Sequence, residues 1–211
     1  MHDLPFQNLN RRRFIERAAV ALAGISALNM GAGGLTGCNG KGRALTLSSS
    51  DTAEPSWKIT MISDREPGEP LVVSGIVYGA DGRTPLEGVR LYVYHTDARG
   101  LYSDEDGQGR EPRPRLKGWM RTNAEGRYEF RTIKPASYPG GQIPAHIHSS
   151  ASGPGYPERW VDSFWFEGDP FISDEERARF AAREAFSPIM RIRRDGNGVL
   201  RCVRDIKLER I

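Results

Sequence analysis

Three short β-rich runs constrain the fold more than any other feature of the chain. Residues 71–78 (LVVSGIVY) are dominated by β-branched side chains, and residues 89–94 (VRLYVY) and 127–133 (RYEFRTI) alternate with a two-residue period. That period belongs to a half-buried strand, whose successive side chains point to opposite faces. Turn chemistry separates the runs: Gly79-Ala80-Asp81-Gly82, Pro85-Leu86-Glu87-Gly88 and Asn123-Ala124-Glu125-Gly126. The expectation is an all-β chain, an antiparallel β-sandwich with long loops. One peripheral helix is expected over 173–186, opened by Ser173 and the acids Asp174, Glu175 and Glu176 and closed before Pro188. Segments 189–192 and 199–211, around Asp195-Gly196-Asn197-Gly198, read as a closing hairpin. Residues 103–118 and 149–160 read as long irregular loops, which in a compact domain are functional or disordered. The first carries Arg110, Arg113, Arg115 and Lys117, a solvated basic loop or a rim that attracts an anionic aromatic compound.

Residues 1–37 have the form of a targeting peptide and stand apart from the fold. Arg11-Arg12-Arg13-Phe14-Ile15 fits a twin-arginine signal, and a moderately apolar run, Ala18 to Met30, follows it. Leu35-Thr36-Gly37-Cys38 then fits a lipobox, making Cys38 the lipidated first residue of the mature chain. The expected product is exported folded and stays membrane-anchored through its lipid. Its site is the outer side of a bacterial cytoplasmic membrane, the periplasm or the outer membrane. Residues 38–56 read as a flexible spacer rich in Gly, Ser and Thr, and 57–211 as one domain of about 155 residues, long enough for a single core. With Cys38 used as the anchor only Cys202 remains, so packing rather than a disulfide must hold the fold. Loss of residues 1–37 takes the 30 basic and 27 acidic residues to 26 and 25, a balance that gives no argument for nucleic acid.

The candidate chemistry lies in the middle of the chain. Two of the four histidines stand at His-x-His spacing, in Pro144-Ala145-His146-Ile147-His148. On a strand His146 and His148 share one face while Ile147 turns into packing, a geometry that suits two imidazoles on one metal ion. The same spacing also occurs in ordinary surface strands. Tyr102 follows Arg99-Gly100-Leu101, and Tyr138 sits in a Pro-rich bend. Two tyrosines and two histidines could form a four-ligand site, or the tyrosines could be amphipathic packing residues with wet hydroxyls.

Taken in order, these stretches resemble the intradiol ring-cleavage dioxygenases, the group that includes catechol and protocatechuate dioxygenases. The resemblance runs over roughly 70–170, through Gly75-Ile76-Val77, Pro85-Leu86-Glu87-Gly88, Asp97-Ala98-Arg99-Gly100-Leu101-Tyr102 and Thr122 to Phe130. It continues through Thr132-Ile133-Lys134-Pro135-Ala136-Ser137-Tyr138-Pro139, the His-x-His segment and Phe166-Glu167-Gly168-Asp169-Pro170. It implies an immunoglobulin-like β-sandwich in which Tyr102, Tyr138, His146 and His148 hold a non-haem Fe(III). Phenolates are hard anionic ligands suited to ferric iron. It further implies a small aromatic diol and O2 as substrates, with Tyr138 leaving the metal to take a substrate proton. Two positions depart from the family pattern: Ile143 stands where its better-known members have an arginine, and Ser163 where they have a glutamine. Arg121, or an arginine of the 110–115 loop, is the candidate replacement cation. The rival reading is an envelope ligand-binding or interaction module of the same fold, iron-binding or metal-free, with catalysis lost. No feature of the sequence specifies an oligomer.

Overall fold

The computed structural model describes residues 56–103 and 113–210. The targeting peptide, Cys38, nearly all of the proposed spacer and Arg110 lie outside these residues. Among the described residues, eleven strands form two facing sheets. The strands are β1 (Lys58–Thr60), β2 (Pro70–Tyr78), β3 (Arg90–His95), β4 (Leu116–Arg121), β5 (Arg127–Ile133) and β6 (His146–Gly153). They continue with β7 (Tyr156–Phe166), β8 (Ile189–Met190), β9 (Arg193–Arg194), β10 (Leu200–Val203) and β11 (Ile206–Lys207). The first sheet has the order β1-β5-β2-β10-β9, with β11 also paired to β2, and the second runs β4-β3-β6-β7-β8.

The three runs that announced strands form β2, β3 and β5, and their alternation selects the buried face. Leu71, Val73 and Val77 of β2, Leu91 and Val93 of β3, and Tyr128 and Phe130 of β5 are all buried. The sheets meet through rings: Tyr128 and Phe130 of the first sheet lie 6.5 and 6.1 Å from Phe164 of β7. Burying each such ring stabilises the fold by roughly 1.5–3 kcal/mol, so this contact is a principal bond between the layers.

The sandwich is mixed rather than purely antiparallel. The long pairings β2–β5, β3–β4, β3–β6 and β6–β7 are antiparallel, whereas the short pairings β1–β5, β10–β2, β11–β2 and β7–β8 are parallel. The closing hairpin is accordingly smaller than expected. Arg193 and Arg194 pair with Arg201 and Leu200 around the Asp195 turn, while Ile189 and Met190 join Trp165 and Phe166 in the opposite sheet. Met190, 1% exposed, draws that segment into the core. Residues 149–160 are not an irregular loop but most of the β6–β7 hairpin, and the expected 103–118 loop ends in β4. Ser149 and Ala151 face inward among larger neighbours; tertiary packing outweighs their weak strand preference.

The helix α1 spans Asp174–Ala181, with the anticipated capping box. The Ser173 hydroxyl accepts from the Glu176 N–H at 3.2 Å, and the Glu176 carboxylate accepts from the Ser173 N–H at 3.0 Å. The right-handed helix stops well before Phe186 because Glu184 adopts a left-handed φ of 50°, leaving a 3-10 turn over Glu184–Phe186. Phe180 is the helix's buried residue, edge-on to Trp165 at 5.1 Å, and α1 lies on the outside as expected.

Candidate metal centre

His146 and His148 open β6, the strand between β3 and β7. Ile147 is fully buried between them, so the two imidazoles project from the outer face of the five-stranded sheet. The tyrosines arrive on two loops. Tyr102 ends the turn that follows β3, and Tyr138 begins a turn closed by the Gly141 N–H donating to the Tyr138 carbonyl at 3.1 Å.

Four polar atoms converge there. The Tyr102 hydroxyl is 2.9 Å from His148 Nε2, and the Tyr138 hydroxyl is 3.4 and 3.2 Å from the Nε2 atoms of His146 and His148. The two Nε2 atoms are 3.0 Å apart, and the two phenol oxygens are in direct contact. Ligand bonds of about 2.0–2.1 Å at angles of 90–120° put neighbouring donor atoms about 2.9–3.6 Å apart, so the imidazole–imidazole and phenol–imidazole spacings fit one first-row metal ion, while the two phenol oxygens lie closer than that range and would have to separate around it. The tautomer of His146 fits as well. Its Nδ1–H donates to the Pro144 carbonyl at 2.7 Å, leaving the Nε2 lone pair directed at the cluster. Among the described residues no group of three or more His, Cys, Asp or Glu could hold a metal, which leaves this tyrosine–histidine set as the candidate.

Burial adjusts the protons of the cluster. It pushes the Tyr138 phenol up, against the opposing contact with Tyr102, and pushes the His146 imidazolium down, against the opposing Pro144 carbonyl. An unliganded Tyr138 therefore keeps its proton and His146 stays neutral. Below the cluster the Asp97 carboxyl is pushed up by burial but held below the ordinary carboxylate range by N–H groups of Leu101 and Arg99.

The remaining sequence candidates divide. Ser163 is brought to the centre: Ile147 pairs with Phe164 and Ser149 with Val161, so Asp162 and Ser163 form a bulge opposite His148. Ile143, 36% exposed, precedes Pro144 at the edge of the site. Arg121 is not brought there. It lies opposite Arg90, four residues along β3 from the Tyr94 that pairs with His148, about 13 Å at the usual strand rise. Its guanidinium donates to the Gly88 carbonyl at 3.1 Å. Arg115 forks onto Glu66 at 2.7 and 2.8 Å, and Arg113 is exposed. Two aromatic neighbours were not anticipated. Tyr94 stacks on His148 with centroids 4.6 Å apart, and Trp160 is edge-on to both at 6.0 and 6.4 Å. The outward parity of Tyr94 on its alternating strand was the one available signal.

Fold and site together define a β-sandwich protein with a cage of two phenols and two imidazoles on one outer face. A family model described as dioxygenase matches residues 47–205, and the chain belongs to the intradiol dioxygenase family. Catechol 1,2-dioxygenase 1 of Acinetobacter lwoffii is 32% identical over 158 residues, covering 67% of this chain and 49% of that protein. The protocatechuate 3,4-dioxygenase beta chain of Burkholderia cepacia is 37% identical over 121 residues, covering 53% and 51%. The chain thus spans about half the length of these curated relatives. Among solved structures, the dioxygenase domain of a dioxygenase carbohydrate-binding protein fusion from Streptomyces sp. SirexAA-E superposes with a TM-score of 0.55. It is 28% identical, and the match covers 77% of this chain and 96% of that one. The two mixed sheets with one helix match the β-sandwich of the family.

Proposed function

We propose that this chain is a non-haem Fe(III) dioxygenase that opens a catechol-type ring between its two hydroxyl-bearing carbons and inserts both atoms of O2. The observation that carries the proposal is the convergence of Tyr102, Tyr138, His146 and His148 at ligand spacing on one sheet face. Bound ferric iron would supply a hard Lewis acid that takes both oxygens of the diol and draws electron density from its ring. The chain's own groups supply the rest. Tyr102 and Tyr138 would be the anionic donors to the iron, giving up phenol protons that are ordinarily lost near pH ~10. Tyr138 is the acceptor for a diol proton, because its buried phenol favours the protonated form. The Pro144 carbonyl keeps His146 in the tautomer that donates through Nε2. Tyr94 and Trp160 fix the orientation of the His148 ring and shield it from water.

The test uses the full chain loaded with ferric iron. One ferric ion per chain, a visible phenolate-to-iron absorption band, and oxygen uptake with a simple catechol are expected. Tyr102→Phe and His146→Ala should each weaken iron binding at least tenfold and bleach the band. Wild-type protein that stays colourless after iron loading would refute the site. Iron binding with no oxygen uptake across a panel of catechols and hydroxyquinols would leave the ligand-binding module of the same fold.

The proposal extends to location. Arg11-Arg12 and Cys38 support an exported, lipid-anchored protein, and the family match begins downstream of both, at residue 47.

A further inference from the structure

The two tyrosines reach the site on loops that are separate in sequence, and the Thr96-Asp97 segment joins those loops, with the buried Asp97 carboxylate shaping its own turn. Asp97 is 5% exposed. Its Oδ1 accepts from the backbone N–H groups of Arg99 at 2.8 Å and Leu101 at 3.1 Å. Its Oδ2 accepts from Nε and Nη2 of Arg99 at 2.9 and 2.8 Å. The Asp97 N–H donates to the Leu101 carbonyl at 2.7 Å, so the loop is tied one residue before Tyr102. The Asp97 carbonyl accepts from Gly100 at 3.1 Å and, across the gap, from the Ala136 N–H at 3.2 Å. The Thr96 hydroxyl closes a second tie by donating to the Ala136 carbonyl at 2.7 Å, two residues before Tyr138. We propose that Asp97 is a positioning residue that sets the separation of the Tyr102 and Tyr138 hydroxyls, an inference that rests on the metal-site reading above. The carboxylate touches neither ligand and does not itself cross the gap; it acts by fixing the 97–101 turn, so that the Asp97 carbonyl and the Thr96 hydroxyl meet Ala136 of the Tyr138 loop in one register.

The competing account is ordinary turn chemistry, and the molecule provides a second turn-capping aspartate, an exposed one, for comparison. Asp81, in the turn leading into β3, accepts from the N–H groups of Arg83 and Thr84 at 2.9 and 3.0 Å and from the Thr84 hydroxyl at 2.5 Å. It caps the turn before β3, whereas Asp97 caps the one after it. A purely structural role predicts that Asp97→Ala and Asp81→Ala both lower the thermal midpoint, by different amounts, and that neither changes ferric-ion affinity or band energy.

Full-length wild type, Asp97→Ala, Asp97→Asn and Asp81→Ala would be compared in ferric-ion affinity by chelator competition, in the energy of the phenolate-to-iron band, and in thermal midpoint. Asp97→Ala should weaken iron at least tenfold and shift the band. Asp97→Asn, whose remaining oxygen still accepts from Arg99 and Leu101 N–H, should lose about threefold. Asp81→Ala should lower the thermal midpoint with affinity and band unchanged. A second readout needs no iron: photo-oxidation of the metal-free protein, with the Tyr102–Tyr138 dityrosine product mapped by mass spectrometry. Its yield should fall at least threefold in Asp97→Ala and stay constant in Asp81→Ala. If wild type takes up no ferric iron, the functional reading fails and the crosslink alone decides the role of Asp97. Asp97→Ala that lowers the midpoint but keeps affinity, band and crosslink overturns the proposal. If Asp97→Ala does not fold, an Asp97→Asn protein indistinguishable from wild type in all three overturns it equally.

Discussion

At the end of β3, His95 is fully buried, and its two ring nitrogens are satisfied as a neutral imidazole: Nδ1–H donates to the Thr96 carbonyl and Nε2 accepts from the Thr132 hydroxyl, both at 2.7 Å. Burial lowers its pKa to about 4, against the opposing pull of the Thr96 carbonyl and Glu66. The unfolded chain therefore binds a proton near pH 6.5 that the folded chain refuses until pH 4. Stability is fully present above pH 6.5 and falls with pH below it, by about 2 kcal/mol at pH 5 for this group alone. Urea unfolding at pH 7.5 and pH 5 measures the difference, and His95→Gln should remove the share due to His95, leaving what His146 adds with the same sign. Equal stability at both pH values in the wild type would contradict a neutral buried His95. The sequence held no sign of this role, since His95 is distinguished only by inward parity at the end of β3. His146 and His148 were legible because their spacing fixes a shared face whatever the strand packs against.

Gly100 shows how the elements around the centre depend on close backbone approach. It adopts a φ of 84°, and a Cβ there would overlap the Ser137 carbonyl oxygen, one residue before Tyr138. Gly100→Ala should therefore cost about 1–2 kcal/mol from the left-handed backbone, and more from the steric conflict. Because the conflict pushes the Tyr102 and Tyr138 loops apart, iron affinity should fall at least tenfold. Iron titration of the variant checks this, and tight binding would mean the loops do not rely on that contact. β2, β3 and β5 were readable because their buried positions hold large apolar side chains in strict alternation. β4 was hidden by Gly118, whose missing side chain admits Ile59 of β1, and the second half of β6 by its run of small residues. The parallel pairings were not legible either, because alternation fixes which face is buried but not which neighbour a strand takes.

For the whole molecule, the structure leaves the amino-terminal export signals to experiment. With Arg11 and Arg12 both changed to lysine, unprocessed precursor should accumulate in the cytoplasm. Cys38→Ala should move the protein from the membrane to the soluble fraction; unchanged fractionation of both variants would remove the lipoprotein proposal. The pairing of β2 bears on when the fold can finish. β2 lies between β5 and the carboxyl-terminal strands β10 and β11, and its Ile76 N–H donates to Asp205 across 129 residues of sequence. During synthesis one edge of β2 must stay unpaired until residues 200–207 leave the ribosome. The antiparallel group β3, β4, β6 and β7, which carries both histidines of the candidate site, is complete by Phe166. Such long-range closure is slow, since the chain loses loop entropy before the contacts form. Pulsed hydrogen exchange during refolding should find the β10–β2 amides protected after those of β3 and β6. A nascent chain whose Phe166 has just cleared the ribosomal exit tunnel would then already display its paired imidazoles on a sheet whose opposite layer is still open, so the ribosome-bound intermediate, and not only the released protein, would be exposed to cytosolic metals.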